Sequence, residues 1–142
     1  MEYKSYYTRE VTASEKYEWA DRIIMIAEDI ELNYLYIKEL IEPTGAMIIH
    51  VENGKDAVDY CKKDNKVDLI LMDLLMPVMN GYDATRLIKD MRSKLPIIAQ
   101  TAYSMSEDRK HAISAGCDDY ITKPIGRDEL LAKINNFFQT KD

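Results

Sequence analysis

From Arg22 onward the chain alternates between short apolar runs and longer segments whose apolar residues recur at helical spacing. "IIMIA" (23–27) and "VDLILM" (67–72) are continuous apolar runs, as expected of strands covered on both faces. "AMIIHV" (46–51), "LPIIAQ" (95–100) and "DYIT" (119–122) read as further strands. Between them, "NYLYIKELIE" (33–42), "GKDAVDYCKK" (54–63), "GYDATRLIKDMR" (81–92), "SEDRKHAISA" (106–115) and "RDELLAKINNFF" (127–138) predict helices. Pro43 and Gly45 stop the first of these, and Gly116 closes the fourth. Ala57, Val58 and Cys61 mark the inner side of the second helix. Leu130, Leu131, Ile134, Phe137 and Phe138 form the stripe of the last.

The unit is one strand and one helix, repeated five times. Apolar strands alternating with amphipathic helices predict an α/β fold with a parallel sheet covered on both faces. With right-handed crossovers, five such units suit a flavodoxin-like, doubly wound (βα)5 three-layer sandwich of strand order 2-1-3-4-5. Ligands of such sheets bind beyond the carboxyl ends of the strands, where the winding reverses, here between strands 1 and 3. Residues 1–21 lack this rhythm and read as an N-terminal linker or tail, leaving residues 22–140 as the domain. Tyr3, Tyr6, Tyr7, Tyr17 and Trp19 suggest that part of this lead-in docks on something, the domain itself being one candidate.

Composition narrows the partners. The chain has 142 residues, enough for one domain with a real core. Its net charge of −6 and the lack of any basic block argue against nucleic acid or anionic membrane as partner. No apolar run approaches a membrane span, so no direct membrane contact is expected of this segment. Cys61 and Cys117 form no CxxC and read as small buried hydrophobes in a reducing, cytoplasmic setting. Met25, Met47 and Met72 fall in strands and are expected in the core. His50 and His111 are expected to be structural or solvated.

The end of the third strand carries the chemistry. In "LILMDLLMPVMNG" (69–81) an apolar run meets Asp73, and Pro77 and Gly81 then break the chain. The first strand ends in Glu28 and Asp29, so three carboxylates converge at the point where the winding reverses. They repel one another, and an all-oxygen site of this charge suits a hard cation, Mg²⁺ above others. The fourth strand runs into Thr101 and the fifth into Thr122, Lys123 and Pro124. Taken singly, a strand-end Asp is usually a cap and a Lys is usually solvated. Taken together, carboxylates with a metal, a hydroxyl and an ammonium suit a phosphoryl group, with Asp73 as nucleophile.

With the motifs "IAED", "LILMDLLMPVMNGYDAT", "IIAQTAYS" and "AGCDDYITKPI", the stretch from about Ile23 to Phe138 resembles a response-regulator receiver domain. The resemblance implies that Asp73 accepts a phosphoryl group from a phosphohistidine. It implies that Asp29, Asp73 and the carbonyl of Leu75 bind Mg²⁺, with Glu28 acting through a water. Lys123 would hold a phosphoryl oxygen, and its bond to Pro124 would be cis. Thr101 and Tyr120 would form the switch that changes the surface over helix 4, strand 5 and helix 5. Helix 1, with Asn33, Tyr34 and Tyr36, would dock the partner, a histidine kinase or a histidine phosphotransfer protein.

The sequence departs from common receivers in having Leu75 two places after the acceptor and the bulky Tyr103 near the site. Both are expected to restrict water and prolong a phosphoaspartate. Gly126 stands where a polar helix start is usual. The wording of the motifs resembles the carboxyl-terminal receiver of a hybrid sensor histidine kinase, which would make residues 1–21 part of a linker. The alternative is a stand-alone single-domain regulator. As an isolated domain it is expected to catalyse only its own phosphorylation, so it is not a classical enzyme. A haloacid-dehalogenase-type phosphatase would need a second Asp where Leu75 stands, and a flavodoxin-like cofactor binder would need a phosphate cradle where the acidic "EDIELN" (28–33) stands.

Overall fold

Five parallel strands make one sheet in the order β2-β1-β3-β4-β5. They are β1 (Ile23–Ala27), β2 (Met47–Val51), β3 (Leu69–Asp73), β4 (Ile97–Thr101) and β5 (Asp119–Thr122). The helices that follow them are α1 (Glu31–Ile41), α2 (Gly54–Lys62), α3 (Gly81–Met91), α4 (Ser106–Ala115) and α5 (Arg127–Thr140). This computed structural model describes residues 17–102 and 106–140. Residues 1–16 of the lead-in, with Tyr3, Tyr6 and Tyr7, and the residue Tyr103 lie outside the described residues.

The alternation of side chains along each strand sorts the core into two layers. Met25, Ala27, Ile70, Met72, Ile97 and Ala99 face a cluster completed by α2, α3 and α4 through Ala57, Val58, Cys61, Ala84, Ile88 and Ala112. Ile24, Ile26, Leu69, Leu71, Ile98 and Ile121 face the other way, onto Ile37 and Ile41 of α1 and Leu130, Leu131 and Ile134 of α5. That is why β3 reads as an unbroken apolar run: both of its faces are buried. Both cysteines are free and buried.

Met47 departs from the expected core position. It opens β2 at the edge of the sheet, and while Ile49 and Val51 on the same face pack inward, Met47 stays 60% exposed. Met25 and Met72, on interior strands, are fully buried.

The end of the lead-in packs on the domain. Trp19 is 4% exposed and sets its ring edge-on to Phe138 of α5 at 5.1 Å, while Tyr17 stacks on Trp19 at 5.2 Å. Its backbone N–H donates to the Thr44 carbonyl at 2.7 Å.

Because all strands are parallel, their carboxyl ends share one edge. The loop from β3 to α3 is held down there by two glycines. The Gly81 N–H donates to the Leu74 carbonyl at 3.0 Å and the Gly54 N–H to the Met79 carbonyl at 2.9 Å. A Cβ on Gly81 would collide with the Asp73 carbonyl and Leu74 Cα, so only glycine lets α3 start this close to the strand end. Asn80 caps α3 by accepting from the Asp83 N–H at 2.9 Å.

Candidate functional site

Each predicted carboxylate lies at this carboxyl edge. Glu28 follows β1 directly and is fully buried; Asp29 beside it is exposed; Asp73 is the last residue of β3 and is buried. One carboxylate oxygen from each lies within 4.8 Å of the others. The register explains the meeting: Ala27 pairs with Met72, so the next residues along, Glu28 and Asp73, are neighbours on adjacent strands.

Lys123 closes the group from the far side. Its N–H donates to the Thr101 carbonyl at 2.8 Å, continuing the β4–β5 ladder one step. Its ammonium reaches Glu28 Oε1 at 3.3 Å and Asp73 Oδ2 at 3.4 Å. The other oxygens are held by backbone: the Ile30 N–H donates to Glu28 Oε2 at 3.2 Å, and the Leu75 N–H to Asp73 Oδ1 at 3.3 Å. The Lys123–Pro124 peptide bond is cis, as the resemblance implied.

Two buried carboxylates and one ammonium leave a surplus of negative charge. Burial, and then the charge of Asp73, push the Glu28 carboxyl up to about 7, although the Ile30 N–H and Lys123 pull the other way. A cation placed among these carboxylates would offset that surplus. The donors are all oxygens, which suits Mg²⁺.

A cleft of about 280 Å³ opens over Asp73, walled by Leu75, Tyr82, Gln100, Thr101 and Lys123 among others. Thr101 is buried at the end of β4. Tyr120, expected to couple to it, is half-buried in β5 and points to the α4 side, with the Arg109 guanidinium 4.5 Å from its ring centre and Lys133 at 5.8 Å. Leu75 is 66% exposed at the mouth.

Other strand-end carboxylates do not join this group. Asp68 Oδ2 accepts from the Ile23 N–H at 2.7 Å, and Asp118 Oδ2 from the Ile97 N–H at 2.8 Å while pairing with Lys89 at 2.6 Å. Both lie at the amino edge and staple strand starts. His50 is structural: its Nε2 lies 2.8 Å from the Glu28 carbonyl, and its ring stacks on Tyr34 of α1 with centres 3.6 Å apart. His111 is exposed on α4.

Sequence reasoning passed over Gln100 as a mere strand end. Its signal was present, a polar amide in the apolar run "IIAQT" (97–101) one place before Thr101. The structure buries it completely and gives neither Oε1 nor Nε2 a hydrogen-bond partner among the described residues.

The family description of a response regulator receiver domain matches residues 24–135. The polar-differentiation response regulator DivK of Brucella anthropi is 36% identical over 116 residues, covering 80% of this chain and 94% of that protein. The receiver domain of the sensor histidine kinase PA1611 from Pseudomonas aeruginosa, solved with a magnesium ion coordinated in its active site cleft, is 33% identical with a TM-score of 0.77, over 83% of this chain and 98% of that one. The receiver domain of Ssk1, solved in complex with the histidine phosphotransfer protein Ypd1 of Saccharomyces cerevisiae, is 27% identical with a TM-score of 0.79, over 84% of this chain and 90% of that one.

Proposed function

The chain belongs to the response regulator receiver family, and on that premise we propose that it accepts a phosphoryl group on Asp73 from a phosphohistidine. The observation that carries this reading is the Lys123 ammonium shared between Asp73 and Glu28 at the carboxyl edge, with Asp29 beside them. One oxygen of Asp73 attacks phosphorus, the P–N bond breaks, and its electron pair returns to the imidazole nitrogen, which takes up a proton. Lys123 then pairs with a phosphoryl oxygen, and the Leu75 N–H keeps the carboxylate turned toward the cleft. Asp29, Asp73 and the Leu75 carbonyl, with Glu28 behind them, would hold Mg²⁺, which would supply charge neutralisation for the transferring group.

The donor is proposed to be a histidine kinase or a histidine phosphotransfer protein, the class of partner bound to Ssk1. Exposed Ile30 just before α1, Leu32 and Leu35 along it, and Leu75 and Val78 in the β3–α3 loop give the cleft an apolar rim that a helical partner can cover. The added charge would draw the Thr101 hydroxyl and let Tyr120 move between Arg109 and Lys133, changing the face of α4, β5 and α5.

We place the domain, residues 22–140, in a hybrid sensor histidine kinase; PA1611 shows that a receiver of this kind occurs in a sensor kinase. The near full-length match to DivK favours the second reading, a stand-alone regulator. The reading frame upstream of residue 1 in the native gene distinguishes them.

The deciding test of function is intact mass after incubation with acetyl phosphate, with and without Mg²⁺, on wild type and Asp73→Asn. One added phosphoryl that requires both Mg²⁺ and Asp73 is expected. No addition from acetyl phosphate or from phosphorylated histidine partners overturns the reading.

A further inference from the structure

His50 touches no reacting group, yet its ring ends against the acidic turn that follows β1. β1 and β2 pair in register as far as Ala27 and Val51, and the Glu28 N–H adds one more rung by donating to the Val51 carbonyl at 3.0 Å. β2 then ends and the chain turns off into α2. The Glu28 carbonyl takes its donor from a side chain instead: His50 Nε2 lies 2.8 Å from it. A carbonyl only accepts, so Nε2 carries the proton. Ile48 packs on the α1–α5 side of the sheet, and His50, two residues on, faces the same way, toward α1. There the ring lies flat on Tyr34, with centres 3.6 Å apart and planes 3° from parallel. The stack fixes the plane of the imidazole, and so the line along which Nε2 donates.

The carbonyl that His50 holds belongs to the peptide unit joining Glu28 to Asp29. That unit is planar, so only ψ of Glu28 and φ of Asp29 set the direction of one side chain relative to the other. Holding the carbonyl fixes the first of these angles. The Glu28 side chain is already tethered: its Oε2 accepts from the Ile30 N–H at 3.2 Å and its Oε1 faces Lys123 at 3.3 Å. Asp29 is exposed and its side chain is short, so its aim follows its backbone. We propose that His50 is a positioning residue for the acidic pair, its Nε2–H fixing the Glu28–Asp29 peptide so that the Asp29 carboxylate stays aimed at the oxygens of Glu28 and Asp73. Mg²⁺ demands close to ideal octahedral placing of its oxygens, so a small change in that aim is felt. Through the stack on Tyr34 the same ring ties the peptide to α1, the helix proposed to receive the partner. The inference rests on the acidic group as a Mg²⁺ site.

The test separates the N–H from the ring. His50→Phe keeps a ring on Tyr34 and removes the donor. His50→Gln removes the ring and carries an N–H as many bonds from Cβ as Nε2 is. Mg²⁺ binding to the metal-free proteins is titrated by calorimetry without any phosphodonor, and thermal melting in EDTA is followed alongside. His50→Phe is expected to weaken Mg²⁺ binding by about tenfold, and His50→Gln by less than about twofold. A histidine that only stabilised the fold would lower the melting temperature when replaced and leave the Mg²⁺ affinity where it was. Wild-type affinity in His50→Phe, or an equal loss in both variants, overturns the proposal. Should His50→Phe fail to fold, His50→Met, which also lacks the donor, is read by the same criteria. Should wild type bind no Mg²⁺, the metal reading falls on its own. Crystal structures of metal-free wild type and His50→Phe then decide: an Asp29 carboxylate displaced in the variant sustains the proposal, and one in the same place overturns it.

Discussion

The Lys123 ammonium lies 3.4 Å from Oδ2 of Asp73, fifty residues earlier in the chain. The same ammonium is 3.3 Å from the fully buried Glu28. Removing it leaves two neighbouring carboxylates without their cation. Lys123→Met is therefore expected to lose about 3 kcal/mol of stability at pH 8 and to slow phosphorylation by about a hundredfold. Thermal melts and intact-mass time courses check the two effects separately.

Glu28 makes the metal-free protein sensitive to pH. Its carboxyl titrates near 7 in the folded state against 4.5 for a free side chain, because of burial and the Asp73 charge. The folded state thus holds its proton more tightly than the unfolded chain. The stability this contributes is complete below about pH 4.5 and is lost as pH rises through about 7. In EDTA, wild type is expected to be more stable at pH 5.5 than at pH 8 by on the order of a few kcal/mol, and Glu28→Gln is expected to flatten that difference. Adding Mg²⁺ at pH 8 should restore much of the loss. A melting temperature in EDTA that is equal at both pH values would contradict this.

Leu75 stands at the mouth of the cleft, largely exposed, with its N–H on Asp73 Oδ1. An apolar side chain there would hinder water from reaching an acyl phosphate on Asp73. Leu75→Asn is expected to hydrolyse its phosphoaspartate on the order of fivefold faster, with little change in the rate of formation. Decay of the phosphorylated mass after removal of donor measures it.

The β3–α3 loop carries opposite backbone demands three residues apart. Gly81→Ala is expected to cost at least about 2 kcal/mol, since its Cβ would strike the Asp73 carbonyl. Val78 has φ of 69°, a left-handed conformation that a β-branched side chain tolerates poorly, so Val78→Gly is expected to gain about 1 kcal/mol. Urea denaturation of both variants should show shifts of opposite sign.

Trp19 ties the lead-in to the fold. Its indole packs edge-on against Phe138 and is almost fully buried, so Trp19→Ala is expected to lose about 3 kcal/mol. A loss below about half a kcal/mol would mean that residues 17–21 merely rest on α5.

Much of the fold was legible because periodicity is local. Runs such as "LILMD" announce a strand buried on both faces, and Leu130, Leu131 and Ile134 mark the inner side of α5, without reference to any distant residue. The boundaries moved by a residue or two where local pattern is ambiguous: Leu95 and Pro96 precede β4 rather than open it, and Asp73 and Thr101 complete their strands. Met47 was misplaced because its apolar character marks it as strand but does not say that the first residue of the edge strand β2 stays uncovered.

The sequence by itself determined the alternation of strand and helix, which strands are covered on both faces, and which chemical groups end the strands. It also set Asp73 at the carboxyl end of its strand, whereas the staple role of Asp68 and Asp118 at the starts of β3 and β5 became visible only in the assembled sheet. Three further facts needed the tertiary structure. These are the crossing of Lys123 over β4 to reach carboxylates 50 and 95 residues away, the rise in the Glu28 carboxyl, and the orphaned amide of Gln100. The physical reason is common to them: charge interactions and desolvation depend on distances between residues far apart in the chain, and packing alone sets those distances.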